Sequence, residues 1–205
     1  MTTVSVVDYG MGNLDSVRRA LEECGARANI IADPKGLDGA DRIVLPGVGA
    51  FAQGMTNLRA RGFEEPLRDL VIQGGVPTLG ICLGMQLLAT RGIESGESRG
   101  LGWIPGDVVR LEPGLGERVP HVGWNDVDAQ VCHPLLEGLP NHPNFYFVHS
   151  YHLRCASDAD VIAKTPYCGG FASVVGHGRL VGVQFHPEKS QKTGFALIRN
   201  FLERV

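Results

Sequence analysis

Apolar positions fall into two regimes along the 205-residue chain. Toward the N-terminus, short apolar runs alternate with stretches whose apolar residues recur every three or four positions. Val4 to Val7 reads as a strand, and Asp8-Tyr9-Gly10-Met11-Gly12 as a turn-rich break. Leu14, Val17, Leu21 and Cys24 then keep the helical spacing, with Asn13 placed as N-cap and Gly25 placed to end the helix. A second strand, Ala28 to Ile31, precedes the turn Asp33-Pro34-Lys35-Gly36, and a third, Arg42 to Leu45, stops at Pro46-Gly47. Strand, helix, strand in that order predicts a parallel sheet. Phe51 to Gln73 predicts a helix broken near Gly62, and Val76 to Ile81 a short buried strand that turns at once into a helix over Leu83 to Thr90.

The second half is patterned differently. Short β-rich runs at 107 to 111, 119 to 127, 144 to 151, 161 to 165, 171 to 175 and 179 to 185 are separated by Gly, Pro and Asn turns. A last helix carries Phe195, Ile198, Phe201 and Leu202 on one face. With no internal repeat and no linker between the halves, the expectation is one α/β domain over residues 1 to 205, built on a mixed sheet.

Composition narrows the class of function. Nineteen Lys and Arg against 22 Asp and Glu leave a net charge of −3, with no surplus to draw the chain to phosphate backbones or anionic membranes. No run approaches the ~20 apolar residues of a membrane span, and Met1-Thr2-Thr3 leads into the first strand without a basic segment, so a cytoplasmic location is expected. Five cysteines, Cys24, Cys82, Cys132, Cys155 and Cys168, lie far apart without CxxC spacing, which argues against a disulfide framework or a zinc site. His149 with His152, or His186 with Glu188, lacks a third ligand at a metal-binding spacing, and no metal or cofactor is expected.

One cysteine stands in a chemical context. Gly80-Ile81-Cys82-Leu83-Gly84 has the form G-x-C-x-G at a strand-to-helix junction, the thiol version of a nucleophile elbow. Small residues at −2 and +2 allow a turn that exposes the sulfur. The following helix directs unpaired N–H groups at it, and the Leu83 N–H is placed to bind an oxyanion. The other four cysteines read as small hydrophobes. Among seven histidines only His186 has comparable context: it follows Leu180 to Phe185 and precedes Pro187 and Glu188. In an extended chain residues i and i+2 share a side, so Glu188 would orient the imidazole; the alternative is a polar turn closed by Pro187. Pro46-Gly47-Val48-Gly49 follows a strand, and glycines on both sides of Val48 permit its peptide to flip and present an N–H to a substrate carbonyl. Through Ala52 it also matches G-x-G-x-x-A, but it follows the third strand without an acidic partner in frame, which disfavours a dinucleotide site.

G-I-C-L-G-M-Q around Cys82 and V-Q-F-H-P-E-K ending at Lys189 together resemble the class I (triad) glutamine amidotransferases. V-V-D-Y-G-M-G-N-L near the start, L-P-G-V-G-A-F at 45 to 51, P-H-V-G-W-N at 120 to 125 and F-Y-F-V-H-S-Y at 145 to 151 resemble the glutaminase subunits that serve imidazole glycerol phosphate synthesis, over essentially the whole chain. The resemblance implies a flavodoxin-like three-layer α/β sandwich and hydrolysis of glutamine by Cys82, His186 and Glu188. It makes Val48 and Gly49 the oxyanion strand, beside Leu83, and Gly49, Gln86, Ser150 and Tyr151 the substrate contacts. The implied partner is a separate (β/α)8-barrel cyclase that receives the ammonia in histidine biosynthesis, forming a heterodimer. Asn13, Ser16, Trp124, Tyr146 and Lys189 are expected on the docking face. Two rival readings are a cysteine hydrolase of α/β-hydrolase type, in which the acid would precede the histidine, and a non-catalytic scaffold, which would be expected to have lost a triad member.

Overall fold

In the computed structural model, which describes residues 1–94 and 96–205, the chain opens with the expected unit: β1 (Thr3–Val7), α1 (Leu14–Glu23), β2 (Arg27–Ile31) and β3 (Arg42–Leu45). The Asn13 side chain caps α1 through the Ser16 N–H. Two helices follow, α2 (Phe51–Ala60) and α3 (Glu64–Arg68), then β4 (Thr78–Ile81) and α4 (Leu83–Leu87). The remaining strands are β5 (Arg91–Gly92), β6 (Ser98–Arg99), β7 (Gly106–Arg110), β8 (His121–Asp126), β9 (Asp128–Ala129), β10 (Asn144–His149), β11 (Tyr151–Cys155), β12 (Val161–Thr165), β13 (Phe171–His177) and β14 (Leu180–Val183), before α5 (Gln191–Arg204).

The central sheet runs β2-β1-β3-β4-β14-β13-β12-β9. Its first five strands are parallel and its last three antiparallel. Helices cover both faces, so β4 and β14 are buried at every position. On the α1/α5 side pack Val4, Val6, Val44, Ile81, Phe147 and Phe201. On the α2/α4 side pack Val7, Ile43, Leu45, Met55, Leu58 and Met85. This is the three-layer mixed sandwich the sequence leads one to expect. Adjacent β3, β4 and β14 all end at the same edge, where ligands bind in open α/β sheets.

The second half departs from a single mixed sheet. The run 144 to 151 divides at Ser150: β10 pairs with β8 in a two-stranded ribbon, whereas β11 joins a separate sheet ordered β11-β7-β5-β6. Alternation specifies which face of a strand is buried and carries no information on which sheet it joins. β5 and β6, two residues each, are too short to show a period. The helix expected to reach Thr90 stops at Leu87 because the carbonyls of Leu87, Leu88 and Ala89 accept N–H groups from Leu101 to Ile104 instead of from a further turn. The helix expected over 51 to 73 breaks at Gly62 (φ +74°) and ends in one wide turn over Asp69–Gln73, closed by Gly74 N–H on Asp69 C=O. In α5, Phe195 is only half-buried and Leu197 takes its place in the core.

Gly194 shows how tightly α5 is seated on the segment after β14. A Cβ there would lie 1.9 Å from the Pro187 carbonyl oxygen. Helix propensity alone favours Gly→Ala inside a helix by about 1 kcal/mol. The backbone contact reverses that sign: Gly194→Ala is expected to destabilise the protein by about 2 kcal/mol or more, read as a lower urea midpoint. A raised midpoint would show that α5 has room to shift away from Pro187.

Candidate active site

Cys82 links β4 to α4 with φ +53° and ψ −108°, a conformation that costs a non-glycine residue about 1–3 kcal/mol. The strain is held in place by its neighbours. The Cys82 N–H extends the β4/β14 pairing to the Val183 carbonyl at 2.8 Å. A Cβ at Gly80 would meet the Met85 nitrogen at 2.8 Å, and one at Gly84 would meet the Leu45 carbonyl oxygen at 1.7 Å. The glycines at −2 and +2 are therefore sterically required, as the motif implied. The helix behind Cys82 has only five residues, so its dipole at the sulfur is weaker than the sequence suggested.

His186 stands one strand away, after β14. Its Nδ1 bonds to Glu188 Oε1 at 2.8 Å, with side chains only 3% and 2% exposed. The pair forms, but not through extended alternation: Pro187–Lys189 is a 3-10 turn that swings the carboxylate back to the ring. Burial lowers the imidazole's affinity for a proton, but hydrogen bonding and charge from Cys82 and Glu188 outweigh it and raise the His186 pKa to about 9. Nε2, the nitrogen left for chemistry, is buried without a well-formed hydrogen bond. The backbone of His186 is tied to the ribbon by a closed circuit. His186 N–H donates to the Tyr146 carbonyl (2.9 Å), Tyr146 N–H to Ser190 Oγ (3.0 Å), and Ser190 O–H to the His186 carbonyl (2.6 Å).

Gly47 lies against the elbow: a Cβ there would meet Leu83 Cβ at 3.0 Å and the Gly84 nitrogen at 3.3 Å. The Leu83 N–H, expected as an oxyanion donor, donates to the Gly47 carbonyl at 3.3 Å and is thus occupied. Val48 is 42% exposed and Gly49 takes φ +108°, which favours glycine. Arg61 holds the loop after β1 by donating to the Asp8 carbonyl at 2.9 Å.

Sequence reasoning missed a directed network. His149 Nδ1 faces the Tyr151 carbonyl at 2.9 Å, and a carbonyl only accepts, so the proton is on Nδ1. His149 Nε2 must then accept from His121 Nδ1 (3.1 Å), and His121 Nε2 from Asn125 Nδ2 (3.2 Å). Both rings are neutral. Burial pushes the His149 pKa down to about 3 and the His121 pKa to about 4. The same Tyr151 carbonyl accepts from Gln86 Nε2 at 2.8 Å, Gln86 Nε2 also donates to Gln184 Oε1 at 3.1 Å, and Gln184 Nε2 lies 3.7 Å from Cys82 Sγ. His121 and His149 are directly opposite across the β8/β10 ribbon, a register no linear motif displays. Glu94 was also missed: its Oε2 accepts the Phe51 N–H at the start of α2 (2.8 Å), and its carbonyl meets Tyr151 Oη (3.5 Å).

Gly49 is exposed, Tyr151 gives its carbonyl to Gln86 Nε2, and Ser150, half-buried, gives its carbonyl to the Leu111 N–H. Gln86 is buried and its NH2 is engaged in the network. Trp124, 46% exposed, faces Tyr146 across the ribbon with ring centroids 6.1 Å apart, so it is not a core residue. Asn13 and Lys189 are exposed, Ser16 is half-buried, and α1 packs against the Pro187–Lys189 turn, which places these residues on one side of the molecule. The view of the remaining cysteines as buried hydrophobes needs correction: Cys132 is exposed, Cys24, Cys155 and Cys168 are half-buried, and Cys82 is the buried one. Burial nevertheless raises the thiol pKa of Cys24 and Cys168, and that of Cys155 to about 11.

The family model for class-I glutamine amidotransferases matches residues 5–205. The chain is 47% identical to the imidazole glycerol phosphate synthase subunit HisH of Xanthomonas axonopodis pv. citri, over 99% of this chain and 98% of the relative. It is 45% identical to subunit HisH 1 of Campylobacter jejuni, over 97% and 98%. Among solved structures it resembles a glutamine amidotransferase with TM-score 0.76 at 24% identity, covering 98% of this chain and 97% of the other, a likeness of fold.

The neutral histidines generate a pH test. A histidine whose folded pKa lies below its unfolded value of about 6.5 leaves the unfolded state binding more protons, so stability falls as pH drops below about 6.5. For His149 that loss continues down to about pH 3. In His149→Asn the fall of the urea midpoint between pH 6.5 and 4.5 should be shallower by close to one proton. An unchanged slope would mean that His149 is not held neutral.

Proposed function

The chain belongs to the class-I glutamine amidotransferase family, and from that membership we propose that it hydrolyses L-glutamine to glutamate and ammonia at Cys82 and passes the ammonia to a (β/α)8-barrel cyclase subunit. That partner uses it to make imidazole glycerol phosphate and aminoimidazole carboxamide ribotide in histidine biosynthesis. The single observation that carries the catalytic reading is the convergence of Cys82, His186 and Glu188 at the ends of neighbouring strands β4 and β14. The HisH relatives support the assignment of the partner.

The steps follow from the groups present. The Cys82 thiolate attacks the side-chain amide carbon of glutamine, and the carbonyl oxygen takes the negative charge. His186, holding the thiol proton on Nε2, gives it to the leaving nitrogen; the C–N bond breaks, ammonia departs and a thioester remains. His186 then removes a proton from water, which attacks the thioester, and the returning proton regenerates the thiol as glutamate leaves. Glu188 holds the imidazolium without itself exchanging a proton. Gly49, Ser150 and Tyr151 line the amino-acid end of glutamine. Gln86, its NH2 engaged, offers Oε1 as an acceptor suited to the α-ammonium.

The oxyanion has no complete donor set at rest, because Leu83 N–H is spent on the Gly47 carbonyl. Turning the Gly47–Val48 peptide frees that donor and presents the Val48 N–H at once. The trigger is docking of the liganded cyclase on the face carrying Asn13, Ser16, Trp124, Tyr146 and Lys189. Trp124 and Tyr146 are suited to anchor the interface, and the Tyr146 circuit joins that face to His186.

The test has two arms. With cyclase present, Cys82→Ser should abolish glutaminase activity and His186→Asn nearly so, while Glu188→Gln loses at least about 100-fold. Loss from His149→Asn should be smaller than from His186→Asn, and a larger one would move the base. In the second arm the wild-type rate is compared for the chain alone, with cyclase, and with cyclase plus its ribulose ligand. A rise at each step is expected, and three equal rates would remove the gating role given to Gly47 and Gly49.

A further inference from the structure

The hydroxyl of Tyr9 is a buried polar group beside the elbow that the mechanism leaves unused. Tyr9 follows β1, its side chain is 0% exposed, and its Oη has no hydrogen-bond partner among the described residues. A Cβ at Gly47 would come within 2.1 Å of that oxygen, so the hydroxyl lies against the Gly47 Cα. Burial and then the charge of Cys82 push the phenol's pKa well above its usual range, which keeps the group protonated as a donor.

Two buried groups are complementary here. At rest the Gly47 carbonyl is satisfied by the Leu83 N–H while Tyr9 Oη is not. When the Gly47–Val48 peptide turns, that carbonyl, carried by the buried Gly47, loses its donor, and an unpaired carbonyl there is costly. Rotation about the Gly47 Cα–C bond sweeps the oxygen around an axis that Tyr9 Oη already touches. We propose that the Tyr9 hydroxyl donates to the turned Gly47 carbonyl and so holds the oxyanion strand in its active arrangement. Tyr9 is thereby a positioning residue, and its role rests on the proposed turn of this peptide. The bond exists only in the active state, so it raises turnover and leaves glutamine binding and thiolate formation alone.

The test uses the complex with cyclase and its ribulose ligand. Tyr9→Phe keeps the ring and removes the donor. Expected is a fall in kcat of about tenfold, the worth of one buried hydrogen bond, with KM for glutamine within about twofold. Alkylation of Cys82 by iodoacetamide, which needs a thiolate and no oxyanion, should keep its wild-type rate, whereas a packing defect would slow it. If ligand stimulates the wild type and Tyr9→Phe equally, the role of Tyr9 is overturned while the peptide turn stands. A parallel loss of kcat and of alkylation would mean a packing defect or a contact of the hydroxyl with the thiolate, and overturns it as well. Failure of ligand to stimulate the wild type removes the turn and the Tyr9 contact together.

Discussion

Everything at the site depends on one close approach, that of Gly84 to the carbonyl of Leu45. With a Cβ position only 1.7 Å from that oxygen, α4 lies directly against the end of β3. This fixes where the chain must turn after β4, and the turn forces Cys82 to φ +53°. The cost of that conformation, about 1–3 kcal/mol, is small beside the burial of β4 and β14 at every position. A rigid, doubly covered sheet can therefore hold a strained residue that a loop would relax. The same approach brings the segment just after β3 alongside the elbow, which is why the Gly47 carbonyl can reach the Leu83 N–H at all.

Electrostatics then sorts three histidines in one neighbourhood into two kinds. His186 has a carboxylate on Nδ1 and a sulfur that acts on the ring, and it binds a proton more readily than a free imidazole. His149 and His121 are held neutral chiefly by burial, which outweighs the Tyr151 carbonyl at His149 and the charge of Glu117 at His121, and His186 adds a repulsive charge on His149. Protonating His149 would place donors on both sides of its bond to His121. The network thus has a single direction, from Asn125 to the Tyr151 carbonyl, where it meets the Gln86 and Gln184 amides that lead back to Cys82. A ribbon carrying exposed Trp124 on one side and His121 on the other joins surface to site through bonds that cannot reverse.

How far this was legible depends on whether a feature is local in the chain. The elbow was readable because glycines two residues either side of Cys82 encode a backbone collision that the structure contains. Glu188 was found by an argument about extended chain that the 3-10 turn does not obey; proximity in sequence was enough, because Pro187 compels a turn and a carboxylate two residues on can reach the ring either way. The contact of His149 with His121 was illegible, since the two meet only through the β8/β10 register, and Gln184 comes to Cys82 only through the β4/β14 pairing. The same holds for Tyr9. Its place in V-V-D-Y-G-M-G-N-L marked a turn, while its role depends on β1 and β3 ending side by side. The division of 144 to 151 between two sheets was hidden for the related reason that period-2 alternation continues through Ser150 unchanged.

The resting arrangement also sets how much work a partner must do. On the proposed mechanism, the bond that closes the oxyanion hole is long, 3.3 Å from Leu83 nitrogen to Gly47 oxygen, and such a bond contributes at most about 1 kcal/mol net. Gly47 and Gly49 carry no side chains to rotate, and Gly49 already occupies positive φ, so the turn of the peptide meets little steric resistance. Conformers that interconvert in this way commonly differ by about a few kcal/mol. A docking partner that binds one of them preferentially by a comparable amount can shift the population by orders of magnitude. Weak closure is what makes control from a distance feasible: a firmly bonded strand would need more differential binding energy than a ligand-dependent contact supplies, and an open one would leave the activated thiol free to hydrolyse glutamine without a recipient for the ammonia.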